Sequence, residues 1–244
     1  MIKGMYKAAS AMIPRIRQQE TIANNLANAS APGFKKDMVF TQELSKAQAR
    51  RVERKNDWET PMIDQVYTNY DQGSLDRTNN PLDMAIEGIG FFVVQDPETE
   101  DLYLTRGGNF SISPDGYLST PDGMRVMSDA GPITLEGGDV TVSETGQIAV
   151  NETPVANIRV TEPDDINRLT KVGKNAFNIP DGVELRAAVD FAVRQGYLES
   201  SNIDAVREMV DMIISFRGYE SDAQALKIQD GTLEKLINNV GRVR

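Results

Sequence analysis

At each end of this chain, and nowhere for long between them, apolar residues recur at alternating three- and four-residue spacing. The C-terminal row is Ala205, Met209, Met212, Phe216, Tyr219, Ala223 and Leu226, resuming past Asp230 with Leu233, Ile237 and Val240. The N-terminal row is Met5, Ala9, Met12 and Ile16, resuming past Gln19 with Ala23 and Leu26. This is the rhythm of a coiled-coil seam. As helices the two segments span roughly 40 Å and roughly 58 Å at about 1.5 Å per residue. One such row alone suits a core helix of a compact domain. Two rows at opposite ends, with no long helical partner between them, favour helices that pair with each other and then with other copies of the chain.

The ends of these helices are marked. After Asn24-Asn25-Leu26-Ala27-Asn28, the run Ser30-Ala31-Pro32-Gly33-Phe34 stops the first helix, because Pro and Gly forbid its continuation. Pro14 costs that helix one backbone hydrogen bond, so the sequence predicts either a kink there or a regular part beginning near Ile13. The turn 195–202 leads into the last helix, with Ser201 or Asn202 expected as its N-cap. Asp204, Glu208 and Asp211 suit the positive end of the dipole, and Arg242 and Arg244 the negative end. Gly218 is the weak point of an otherwise strong helix former.

Residues 35–75 show little periodicity and many charges, and read as a partly extended connector. From Pro81 the texture changes. Leu82, Met84 and Ile86 alternate with polar neighbours as in a half-buried strand, and Phe91-Phe92-Val93-Val94 reads as a buried one. Ser113-Pro114-Asp115-Gly116 and Thr120-Pro121-Asp122-Gly123 are turns in which Pro presets φ and Gly accepts the left-handed exit. Glu144-Thr145-Gly146 joins Val140–Val142 to Ile148–Val150 as a further hairpin. Turns about every ten residues predict an all-β domain over about 80–190.

Composition narrows the function. A net charge of −10 argues against a general nucleic-acid binder, and the basic cluster Lys46, Arg50, Arg51, Arg54 and Lys55 reads as a solvated segment. No apolar stretch is long enough to cross a bilayer, and Pro14, Arg15, Arg17, Gln18 and Gln19 interrupt any signal-peptide core. Cys and His are both absent, which removes thiolate chemistry, the commonest general base and the commonest metal ligand. No cofactor or small-molecule substrate is expected. For a glycan-cleaving enzyme the carboxylate pairs available are Asp83 with Glu87 and Asp115 with Asp122, but the first brackets a strand and the second lies in turns. The acidic run from Asp96 to Asp101 lacks ordered calcium-ligand spacing, and Gly88-Ile89-Gly90 lacks the third Gly and the helix of a dinucleotide fingerprint. The stronger rival is a soluble β-domain binding module, which would keep its activity when both ends are removed.

Thr21-Ile22-Ala23-Asn24-Asn25-Leu26-Ala27-Asn28 with Ala31-Pro32-Gly33-Phe34-Lys35 resembles the signature of bacterial flagellar rod and hook proteins. So does Gln195-Gly196-Tyr197-Leu198-Glu199-Ser200-Ser201-Asn202, continuing through Glu208-Met209 to Arg217-Gly218-Tyr219-Glu220. Between them, residues 80–92 and Thr105-Arg106-Gly107-Gly108-Asn109-Phe110 resemble the rod subfamily. The resemblance implies a basal-body rod subunit; length and residues 28–34 favour the proximal type, with the distal type as the alternative. It implies export through the flagellar type III apparatus without a cleavable signal, and stacking with copies of itself and other rod subunits into a hollow shaft crossing the periplasm. The implied fold is α+β. The terminal helices pair as a coiled-coil-like inner domain (1–34 and 195–244), and between them along the chain lie an extended connector (35–79) and a central β domain (80–194), which the resemblance places outside. The row residues named above other than Ala205, with Asn24, Asn25 and Asn28, are then the expected assembly interface. Phe40 and Leu44 resemble an element read by the export gate, a pattern that suits local packing equally. Around Gly108 the family often has Ala-Gly, a departure expected to change little.

Four large row residues, Met5, Met12, Ile16 and Leu26, could gain about 1.5–3 kcal/mol each on full burial. Ordering the backbone costs about 1–2 kcal/mol per residue, so an isolated first helix is marginal. Both ends are therefore expected to be largely disordered in the free monomer and to fold on assembly.

Overall fold

The computed structural model describes residues 2–43 and 61–240. It divides into two compact units: Met1–Ala27 with Asp37–Asn69 and Asp204–Arg244, and Asn28–Lys36 with Tyr70–Ile203. We call them the helical unit and the β unit.

In the helical unit α1 (Ile2–Ala27) is continuous through Pro14, so the helix does not begin near Ile13. Pro14 is buried, and a helix tolerates the lost donor where packing compensates. The last helix, α2, runs Ala205–Val240. Its N-cap is Asp204, whose Oδ1 accepts from the N–H groups of Val206 at 3.0 Å and Arg207 at 3.1 Å. That replaces the expected Ser201 or Asn202. Asn202 is engaged in the β unit instead, accepting from the Lys36 N–H and donating to the Asp71 carbonyl. The segment read as a connector contains two paired antiparallel strands, β1 (Asp37–Glu43) and β2 (Pro61–Thr68), with a register shift at Phe40/Thr41. Its sequence hid them because a two-stranded ribbon has no buried face to impose alternation; Val66 and Tyr67 are about half exposed.

The β unit holds seventeen strands among the described residues. Seven form a path whose members, in chain order, are β5 (Phe91–Gln95), β6 (Leu102–Thr105), β7 (Ser111–Ile112), β8 (Leu118–Ser119), β9 (Arg125–Ser128), β15 (Thr170–Val172) and β16 (Ala176–Asn178). Their spatial order is β15-β16-β6-β5-β9-β8-β7. Three more strands extend this sheet: β10 (Gly131–Pro132) on β9, β14 (Val160–Pro163) on β5, and β17 (Leu185–Ala187) on β14. A three-stranded sheet of β11 (Val140–Val142), β12 (Gln147–Val150) and β13 (Thr153–Asn157) stands beside two pairs. The pairs are β18 (Phe191–Gln195) on β4 (Met84–Gly88), and β19 (Tyr197–Glu199) on β3 (Leu75–Arg77).

Three turns repeat one device. Gly116, Gly123 and Gly146 each donate to the carbonyl three residues back and sit at φ +82°, +86° and +85°. The residue opening each turn, Ser113, Thr120 or Ser143, accepts on its hydroxyl from the N–H four residues on. Left-handed φ without a Cβ penalty is what Gly supplies here.

The core is closed. Met84, Ile86, Phe92, Val94, Phe110, Leu118, Val126, Ile133 and Ile148 form one cluster, and Phe91, Val93, Leu104 and Phe177 a second. The expectation of a half-buried strand at 82–86 is corrected: Met84, Ala85 and Ile86 are all fully buried. The reason lies partly in Gly108, since a Cβ there would meet the Met84 carbonyl oxygen at 1.6 Å. At Gly107 a Cβ would meet its nearest neighbours at 3.3–3.4 Å, a tight fit that needs them to give by a few tenths of an ångström, so an Ala strains this position far less than Gly108.

Candidate assembly interface

The helical unit joins α1 to α2 through polar groups. Arg15 Nε donates to Asp222 Oδ2 at 2.7 Å, Asn25 Nδ2 to Glu208 Oε2 at 3.3 Å, and Ser215 Oγ to the Arg15 carbonyl at 3.3 Å. As α1 ascends from 15 to 25, α2 descends from 222 to 208, so the helices run antiparallel. Glu208, Ser215 and Asp222 recur every seven residues, and the first two are buried.

Over its first three turns the outward side of α2 is apolar, while Arg217 and Gln224 continue the same face as polar groups. Val206 is 72% exposed, and Val210, Ile213, Ile214 and Ile228 between 49% and 63%. At about 100° per residue, Val206, Val210 and Ile213 fall within about 60° of one another and roughly opposite Glu208, Ser215 and Asp222. A helix that is apolar on the side its own chain leaves open is one that another surface covers. Sequence reasoning followed a different stripe and missed these residues. The spacing 206, 210, 213 was the available signal, overshadowed by the longer row beside it.

That row is split. Met212, Tyr219, Ala223, Leu226 and Leu233 are partly covered by their own chain, whereas Met209 and Phe216 are half exposed and Ile237 more so. On α1, Asn25 is buried, Met12, Leu26 and the following Asn28 are partly buried, and Ala9, Ile16, Ala23 and Asn24 are exposed. Ile13, unnamed beforehand, is 62% exposed. Met5 and Val240 belong to the helices, but their side chains lie outside the described residues. Phe40 is in β1 and its side chain is likewise not described. Leu44 and the basic cluster 46–55 lie outside the described residues altogether.

The loop after α1 belongs to the β unit, where it is held by buried charge. Glu199, fully buried, accepts from Lys35 Nζ, from Arg106 Nη1 at 3.2 Å and from the Gly73 N–H at 3.1 Å. Lys35 also donates to the Asp71 carbonyl, and Arg106 to the Gly88 carbonyl, both within 2.9 Å. Burial holds both cations below their ordinary pKa values, opposed by the attraction of Glu199. Gly33 sits at φ +71°, where a Cβ would lie 2.4 Å from the backbone of Arg106, and its N–H donates to the Glu199 carbonyl. Lys171 donates to the Lys35 carbonyl at 2.7 Å, with its Nζ 4.1 Å from the Phe34 ring centre. Pro32, Gly33, Phe34 and Lys35 are therefore a structural knot rather than a spacer.

Three family models match the chain in order. They are "Flagella basal body rod protein" over residues 5–35, "Flagellar hook protein FlgE/F/G D1 domain" over 85–150 and "Flagellar basal body rod FlgEFG protein C-terminal" over 194–239. The chain is 33% identical to the flagellar basal-body rod protein FlgF of Caulobacter vibrioides, covering 100% of this chain and 98% of that protein. The chain belongs to the flagellar basal-body rod family. It is 31% identical to FlgF of Salmonella typhimurium (94% of this chain, 95% of the relative). With the basal-body rod protein FlgG of Borreliella burgdorferi identity is 30%, over 99% and 100%.

As a rod protein it is a structural subunit of the basal body, not an enzyme. In the first carboxylate pair nominated for catalysis both members have structural partners: Asp83 accepts from Asn80 Nδ2, and Glu87 pairs with Arg194 at 2.7 Å. Lys35 lies in the segment matched by the first model and Glu199 in that matched by the last, so the knot joins two signatures 164 residues apart. Among the described residues no helix is long and apolar enough to cross a membrane.

Proposed function

We propose that this rod subunit is of the proximal type and polymerises through α1 and α2 into the shaft that transmits torque. The observation that carries this reading is the apolar face of α2 opposite its polar contact with α1. In this reading the seven-residue recurrence on α2 makes the helix pair coiled-coil-like, and the pair lines the inside of the shaft. Its partners are copies of itself and other rod subunits. Covering four half-exposed side chains of this face gains roughly 3–6 kcal/mol, taking half of the about 1.5–3 kcal/mol for full burial of each. Contacts that do not close into a ring yield an open helical polymer, the geometry a shaft needs. The helices are largely disordered until neighbours cover them, and the chain leaves the cytoplasm through the type III apparatus.

Removing residues 1–27 and 204–244 tests the reading. Loss of basal-body incorporation and motility is expected; incorporation by the truncated chain would contradict it. Imaging of intact basal bodies assigns the proximal or the distal layer, and amide exchange on dilute monomer reports whether the helices are protected before assembly.

A further inference from the structure

Gly218, in the middle of a 36-residue helix, leaves the space that the Arg15 guanidinium fills. A Cβ at 218 would stand 2.2 Å from Arg15 Nη1 and 2.5 Å from Cζ, so the flexible guanidinium would have to swing away. One turn on, Asp222 receives Arg15 Nε at 2.7 Å, and one turn back, Ser215 donates to the carbonyl of the same arginine. One residue of α1 thus meets three successive turns of α2. The pose in which Nε reaches Asp222 is the one that a bare position 218 leaves open. Sliding α1 along α2 by one turn would drive Arg15 against a side chain instead of a gap.

We propose that Arg15, Gly218 and Asp222 form a register key, which fixes α1 on α2 and rejects pairing of α2 with a second α2. The rejection follows from symmetry. Two antiparallel α2 helices meeting at Ser215 would oppose Glu208 of each to Asp222 of the other, so like charges face at both ends of the contact. Only α1 brings Asn25 and Arg15 to those positions. The key decides which copy of the apolar face neighbours meet, and in what register; this consequence rests on the assembly reading above.

The chain has no Cys, so spin labels attached to introduced cysteines at exposed Ala23 and Arg207 report the α1–α2 distance in the concentrated full-length protein without competing sites. Gly218→Ala raises intrinsic helix propensity, so a Gly serving only as a tolerated weak point predicts an unchanged or narrower distance distribution. The key predicts the reverse: at least about a threefold fall in the population at the wild-type distance, the discounted effect of overpacking at a half-exposed ion pair. Arg15→Ala removes the key from the other side, so it lowers the same population, and Gly218→Ala added to it changes nothing further. Circular dichroism on each variant separates loss of register from loss of helix. An unchanged distance in Gly218→Ala or in Arg15→Ala, a lost helix content, or a further fall in the double variant would each overturn the key. Incorporation into basal bodies is scored separately. A wild-type chain that fails to incorporate contradicts the rod assembly reading while leaving the distance measurement intact.

Discussion

The β unit and the helical unit solve the problem of burial differently. The β unit completes its own core: Phe92, Val94, Leu104, Ile148 and Phe177 are fully buried, and even its charges Lys35 and Glu199 are enclosed and paired. The helical unit faces its own chain with Arg15, Asn25, Glu208 and Asp222 while leaving Val206, Ile213 and Phe216 outward. Charge divides the same way. The β unit carries 22 of the 36 acidic residues and 11 of the 26 basic ones, leaving the helical unit near neutrality. A domain that repels its equals in solution and a helix pair that leaves apolar groups outward are different kinds of surface. The contrast teaches that stability and, in the proposed reading, assembly rest on separate residues and can be broken separately.

The sharpest break is Glu199→Gln, which leaves two buried cations without their carboxylate. A loss of about 3–5 kcal/mol in β-unit stability is expected, read by denaturant unfolding. Ile213→Asp is the complement. It should leave that unfolding curve unchanged yet raise the concentration needed for assembly at least about tenfold, because burial of such a side chain is worth about 1.5–3 kcal/mol. Asp204→Ala removes the cap of α2 and should cost about 0.5–2 kcal/mol, seen as fraying of residues 205–208 by amide exchange in the assembled state. Smallest is Arg17→Ala, whose exposed pair with Glu20 should change stability by less than about 0.5 kcal/mol in thermal melts. An effect of Arg17→Ala as large as that of Glu199→Gln would erase the distinction between the two units.

The α+β class and the turns at Gly116, Gly123 and Gly146 were legible in the sequence because each rests on local chemistry: periodicity, a proline, or a glycine at left-handed φ. The orientation of α2 was not. Its heptad row is real, but Glu208, Ser215 and Asp222 take the position facing α1, and only the long-range partners Asn25 and Arg15 explain why polar groups belong there. The β1–β2 pair escaped notice because its polar residues hide any alternation. Lys35 and Glu199 stood inside recognised motifs, yet their contact spans 164 residues, and no local pattern announces a buried ion pair.

Glu199 carries one more implication, for mechanical load. A tug travelling down α1 reaches, eight residues beyond its end, an ammonium sealed inside protein. Pulling that group loose means stripping Glu199 of one of its two counterions before water can arrive. Within the β unit that anchor is expected to let go later than a loop fastened only by exposed groups.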